Sequence, residues 1–168
     1  MKRLKLGIWI FAITLIQIVV SRYFNYNGVT ANVMLAFAVA YAAYERELSY
    51  AMSVTVIIGA IAAAISTRSF WYVLIMVIYS GALIYIFGGR KTRRSYVKLA
   101  VYAFAFVLVG ESLIYFITYM NFEARSALNM LLTELLPTSV VTAVVTVVLS
   151  ALLVKSFGSG RKKSIKLQ

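Results

Sequence analysis

YVKLAVYAFAFVLVGESLIYFITYM, residues 96–120, carries charge only at Lys98 near its start and at Glu111 deep within it. A hydrocarbon core about 30 Å thick takes roughly 20 helical residues at about 1.5 Å each, so this run is long enough to cross a bilayer. Working outward, the same reading applies to Leu6 to Val20, Asn32 to Tyr44, Tyr50 to Ser66 and Phe70 to Gly88. It also applies to Thr138 to Val154, which follows the lone proline, Pro137. Nothing of domain size is left between the runs. With 62% hydrophobic residues, 13% charged and a mean hydropathy of +0.89, the composition is that of a membrane protein.

Barrel strands would show segments of about ten residues with alternating polarity, whereas these runs are apolar on all sides. The Val- and Thr-rich run TSVVTAVVTVVLSALLV would hint at a strand in water. In lipid, backbone groups without partners are too costly, and a helix satisfies them internally. The expected fold is therefore all-α: a polytopic bundle of six transmembrane helices within residues 1–156, followed by a basic cytoplasmic tail, 157–168. Asn32 to Tyr44 is the shortest run. It requires either Gly28 to Ala31 as an added first turn or burial among its neighbours at a tilt.

The start, with Lys2, Arg3 and Lys5, has the basic and apolar parts of a signal peptide. It ends in VVSRYFNY without a small-x-small site, so an uncleaved first helix is expected. Lys and Arg accumulate on the cytoplasmic side of spans. Of the 17 basic residues, 14 fall on one side: the N-terminus, Arg46, the cluster Arg90, Lys91, Arg93, Arg94 and Lys98, and the tail from Lys155. Arg22, Arg68 and Arg125 fall on the other. Both termini are expected in the cytoplasm. The net charge of +12 sits in short juxtamembrane clusters, which suits anionic lipid headgroups and not nucleic acid. The GSG hinge in the tail would let its bases reach a cytoplasmic protein.

Catalysis is not expected. The chain has no Cys, His or Asp, and its acids are Glu45, Glu47, Glu111, Glu123 and Glu134, so metal clusters, triads and paired aspartates are excluded and no cofactor is implied. Glu45 and Glu47 flank Arg46 at a turn, where solvation explains them. Glu111 is different, because an ionisable group inside a span is costly enough to mark a functional position. We expect it to face the bundle interior as a hydrogen-bond hub, with Gln17, Ser80 and the Thr138, Thr142, Thr146, Ser150 row as candidate neighbours; a proton or cation site is the sharper alternative. The Thr/Ser row can also satisfy itself on carbonyls four residues back.

Gly59 with Ala63, Ala60 with Ala64, Ala36 with Ala40 and Ala38 with Ala42 have the small-xxx-small spacing of closely packed helices, and Ser80–Gly81 lies mid-span. This spacing serves internal packing or a partner helix. Between the last two runs, Leu128, Leu131, Leu132 and Leu135 recur at helical spacing. An outer interfacial helix at about 121–136, ending at Pro137, is expected there. Trp9, Trp71 and Tyr72 stand near span ends, where aromatics anchor at the interface or line a pocket.

In order and kind, these features resemble the MreD family of bacterial rod-shape proteins over nearly the whole chain. The resemblance is carried by the basic start, Gln17 late in the first helix, Gly59 and Ala63 in the third, Gly81 in the fourth, Glu111 in the fifth and Leu136–Pro137 opening the sixth. The chain departs from the family's pattern at Ala31–Asn32, where Pro-Asp is common, and at Thr67, where an acid is common. What the resemblance implies is a non-catalytic scaffold in the bacterial plasma membrane that binds the single-span protein MreC. Through MreC it would be linked to a wall-synthesising glycosyltransferase and transpeptidase and to MreB filaments. The family is similar in its six-helix design to the substrate-binding subunits of energy-coupling-factor vitamin transporters, which supplies the alternative function.

Overall fold

The structure is a computed structural model that describes residues 2–24, 29–45, 47–66, 70–92, 96–118 and 129–158. Arg46, Arg68, Arg125, the tail beyond Gly158 and most of the expected 121–136 helix lie outside them. The described residues are helical throughout apart from short connections: α1 (Lys2–Tyr23), α2 (Val33–Tyr44), α3 (Leu48–Ile65), α4 (Phe70–Thr92), α5 (Tyr96–Thr118) and α6 (Leu136–Gly158), with a π turn (Leu131–Leu135) leading into α6. Arg3–Tyr23, Leu48–Ile65 and Leu131–Phe157 are long and apolar enough to cross a membrane; Val33–Tyr44 and Val73–Ile86 are shorter apolar helices.

The bundle is built around α2, which packs on α1, α3, α4 and α6. Every residue from Val33 to Ala42 is buried, so the helix must be apolar on all faces. Its alanines at 36, 38, 40 and 42 let neighbours approach from several directions. Twelve residues rise only about 18 Å, too little for a hydrocarbon core. Of the two routes open to this short run, burial among neighbours is the one taken, since Val29 to Asn32 are not helical.

Around an apolar core, a few polar side chains are buried and many large apolar ones face outward. Thr55, Ser80, Glu111, Ser139, Thr142 and Thr146 are buried, while Leu4, Ile8, Phe11, Ile57, Ile75, Val101, Val144 and Val148 are exposed on the outer helices. A large apolar surface of this kind suits lipid and not water.

The first and last helices meet where α1 begins and α6 ends. Trp9 Nε1 donates to Ser156 Oγ at 3.2 Å, and the Trp9 ring stacks on Phe37 with centroids 6.1 Å apart. Phe37, Tyr41 and Tyr50 continue the ring series, and Tyr44 meets Phe157. Trp9 is thus a packing residue of the α1–α2–α6 contact. Trp9→Phe should keep the stack and lose about 1 kcal/mol with the hydrogen bond. Unfolding titrations in mixed micelles check this: adding Ser156→Ala to Trp9→Phe should cost nothing further.

Pro137 explains the π turn. It has no N–H to donate, and its ring would collide with the carbonyl four residues back in an α-helix. Widening the turn shifts that carbonyl away, and the N–H of Leu136 bonds to Leu131 O, five residues back. The expected interfacial helix does not end at Pro137 as a separate element. Its described part, residues 129–135, runs without a break into α6.

Candidate functional site

A helix that starts inside a bundle must find acceptors for its first N–H groups among side chains. For α2 those acceptors come from three places. Gln17 Oε1, on α1, accepts from the N–H of Val33 at 2.6 Å and of Met34 at 3.2 Å. Asn32 caps its own helix, with Oδ1 accepting from Leu35 N at 3.1 Å. The N–H of Asn32 donates to Thr142 Oγ1 on α6 at 3.1 Å. Gln17 Nε2 is also engaged, donating to Ser21 Oγ at 2.8 Å and to Ala31 O at 3.5 Å. One amide side chain therefore ties α1 to the beginning of α2.

This junction forms one wall of a cavity of about 510 Å³ where α1 ends and α2 and α6 begin. Its polar lining includes Gln17, Ser21 and Arg22 from α1, Asn32, Glu111 from α5, Glu134 from the π turn and Thr138 from α6. Its apolar lining includes Ala62 and Ile65 of α3 and Val73, Met76 and Val77 of α4. Glu111 is 6% exposed, Glu134 is half-buried and Arg22 is exposed, so the acids lie inward of the guanidinium. The volume is that of small-molecule sites, and the few convergent polar groups beside an apolar wall match their usual make-up.

Of the residues singled out from sequence, Gln17, Glu111 and Thr138 come together here, and Pro137 acts through the turn that carries Glu134. Ser80 does not line the cavity; its hydroxyl is buried and has no hydrogen-bond partner among the described residues. Within the Thr/Ser row, Thr146 satisfies itself on Thr142 O at 2.8 Å, while Thr142 reaches across to α2. Gly59 and Gly81 serve the α3–α4 contact. A Cβ at Gly59 would stand 3.2 Å from Leu74 Cδ1, and one at Gly81 would stand 2.5 Å from Thr55 Cγ2. Ala63 is buried on the same helix. Neither tryptophan lines the cavity, and Trp71 is exposed on the surface; Tyr72's side chain is outside the description.

Sequence reasoning missed Asn32 and Glu134 as members of the site. An Asn directly before an apolar run is an N-cap signal, and it could have placed α2's start at Val33. Glu134 had no such signal, because only the π turn sets its direction.

No protein-family model, curated protein or solved structure matches the chain.

Proposed function

We propose that the chain is a non-catalytic scaffold of bacterial cell-wall elongation, of the MreD kind, that crosses the plasma membrane six times with both termini in the cytoplasm. Its partner is a single-span, MreC-like protein, through which it acts on the glycosyltransferase and transpeptidase of wall synthesis and on MreB-like filaments. The observation that carries this reading is a shallow groove between α5 and α6, about 430 Å³ in volume. It is lined only by Ala100, Val101, Phe104, Val140, Ala143, Val144, Val147 and Val148. Ala100 and Ala143 let a second helix come close, and stiff Val side chains lose little freedom on docking. The contact between Trp9 and Ser156 joins the start of α1 to the end of α6, which supports a reading with an even number of crossings.

The absence of cysteine makes the test direct. Single cysteines at Val140, Val144 and Val148 should cross-link to cysteines in the partner's span, following one helix face, and cysteines at Val56 or Ile57 on α3 should not. Equal cross-linking from α3 would put the partner elsewhere. Depletion in a rod-shaped cell should give rounded cells, and unchanged shape would count against the assignment.

The polar cavity favours a second reading, a substrate-binding subunit of a vitamin transporter. Thermal stabilisation by a vitamin, with no co-purifying single-span protein, is the result that would replace the scaffold by the transporter subunit.

A further inference from the structure

We propose that the second half of α1 is a lateral gate, which swings away from α2 and opens the cavity to amphiphilic molecules dissolved in the surrounding lipid. This rests on the reading of the chain as a membrane bundle and is independent of the scaffold's partner.

The two halves of α1 are held in different ways. In the first, Leu6 and Ile13 are buried, the Trp9 ring stacks on Phe37, and Trp9 Nε1 donates to Ser156 Oγ at 3.2 Å. Interlocked side chains resist displacement, because moving them forfeits many contacts at once. The first half is therefore an anchor. From Thr14 to Phe24 no residue is buried, and Ile18, Val19 and Tyr23 are exposed.

What ties this second half to the bundle is mainly polar. Thr14 Oγ1 meets Met34 Sδ at 3.9 Å, Gln17 Oε1 accepts from the N–H groups of Val33 and Met34 at 2.6 and 3.2 Å, and Gln17 Nε2 reaches Ala31 O at 3.5 Å. Val20 adds a part-buried apolar contact. Hydrogen bonds weaken steeply with distance and angle, so a small tilt releases the whole half.

The position of this half gives the motion its consequence. Gln17, Ile18, Ser21 and Arg22 all line the cavity. The other walls are anchored there by buried residues: Ala62 on α3, Met76 and Val77 on α4 and Leu135 before α6. α1 is thus the wall that moves at least cost. Its outer face, with Leu15, Ile16 and Val19 exposed, belongs to a helix long and apolar enough to cross a membrane, so the opening is toward lipid. Polar and apolar side chains are mixed in the lining, which suits a guest with a hydrocarbon body and a polar end.

The test uses the full chain in nanodiscs. Spin labels pairing Tyr23→Cys with Ile57→Cys or with Val144→Cys report the gate, and the same pairs made with Ile8→Cys report the anchor. The stretch from Ile8 to Tyr23 is a lever of roughly 22 Å, so a tilt of about 15° moves its end by about 6 Å. Gln17→Leu should shift Tyr23 by about that much relative to at least one reference and leave Ile8 in place. Gln17→Glu, which keeps the acceptor, should move neither. In single-cysteine chains, Ala62→Cys, buried in the cavity wall, should react with a lipid-soluble pyrene maleimide about tenfold faster when Gln17 is replaced by Leu, the weight of two lost hydrogen bonds. A sulfonated, water-borne maleimide should gain nothing. Ala103→Cys, buried away from the cavity, controls for loosening of the whole bundle. Unchanged distances from Tyr23 to both references, equal movement at Ile8, equal acceleration at Ala103→Cys or equal gain by the water-borne reagent overturns the proposal. A bimane at Phe11→Cys should be quenched by brominated lipid; no quenching there would overturn the membrane reading itself, and the gate with it.

Discussion

Gly81→Ala should destabilise the folded bundle by about 2 kcal/mol or more, the cost typical of forcing extra volume into a well-packed contact. The new Cβ would stand 2.5 Å from Thr55 Cγ2, 2.9 Å from Thr55 Oγ1 and 3.2 Å from Thr55 Cβ, so α3 and α4 would have to separate or shift. Thr55 cannot swing away freely. It is fully buried, β-branched, and bonded through Oγ1 to Ala51 O at 2.8 Å. Adding Thr55→Ala removes the two nearest atoms and should restore most of the loss. Unfolding in mixed detergent micelles, read as a double-mutant cycle, is the measurement. Strictly additive effects of the two changes would show that the helices do not meet at these residues.

Gln17→Leu should cost about 3 kcal/mol. It leaves the N–H groups of Val33 and Met34 without their acceptor, and each buried group left unsatisfied costs about 1–3 kcal/mol. Gln17→Glu keeps an acceptor at the same reach and places a negative charge at a helix N-terminus, which favours it. The glutamate variant should therefore lose much less, giving up only the donations to Ser21 and Ala31. Amide exchange should separate the two: faster at Val33 and Met34 in the leucine variant, near the parent rate in the glutamate one. Equal loss in both would mean that Gln17 works through packing and not through its carbonyl.

The positions of the helices were largely legible in the chain. Apolar runs long enough for lipid and bounded by charge lead to α1, α3, α4, α5 and α6, because the hydrophobic cost of misplacing twenty residues is large and depends on composition alone. Glu111 was legible as an oddity for the same reason, being an acid where acids are expensive. Gln17 stands out in the sequence as a candidate neighbour of Glu111 and for its place in a pattern, not as the acceptor for the start of α2. Its role was hidden because the groups it serves, at Val33 and Met34, are backbone amides that every residue but proline has. The turn before Pro137 was half-legible: a proline opening a helix was foreseen, a π turn joining it to the preceding residues was not.

The composition and the apolar runs already point to an all-helical chain compatible with a membrane bundle. Such properties are sums over residues, and each residue contributes whatever its neighbours are. The seating of the short α2 at the centre, the fit of Gly81 on Thr55 and the gathering of Gln17, Asn32, Glu111 and Glu134 around one cavity are of another kind. They depend on directions and distances between side chains far apart along the chain, which arise only once the helices have packed.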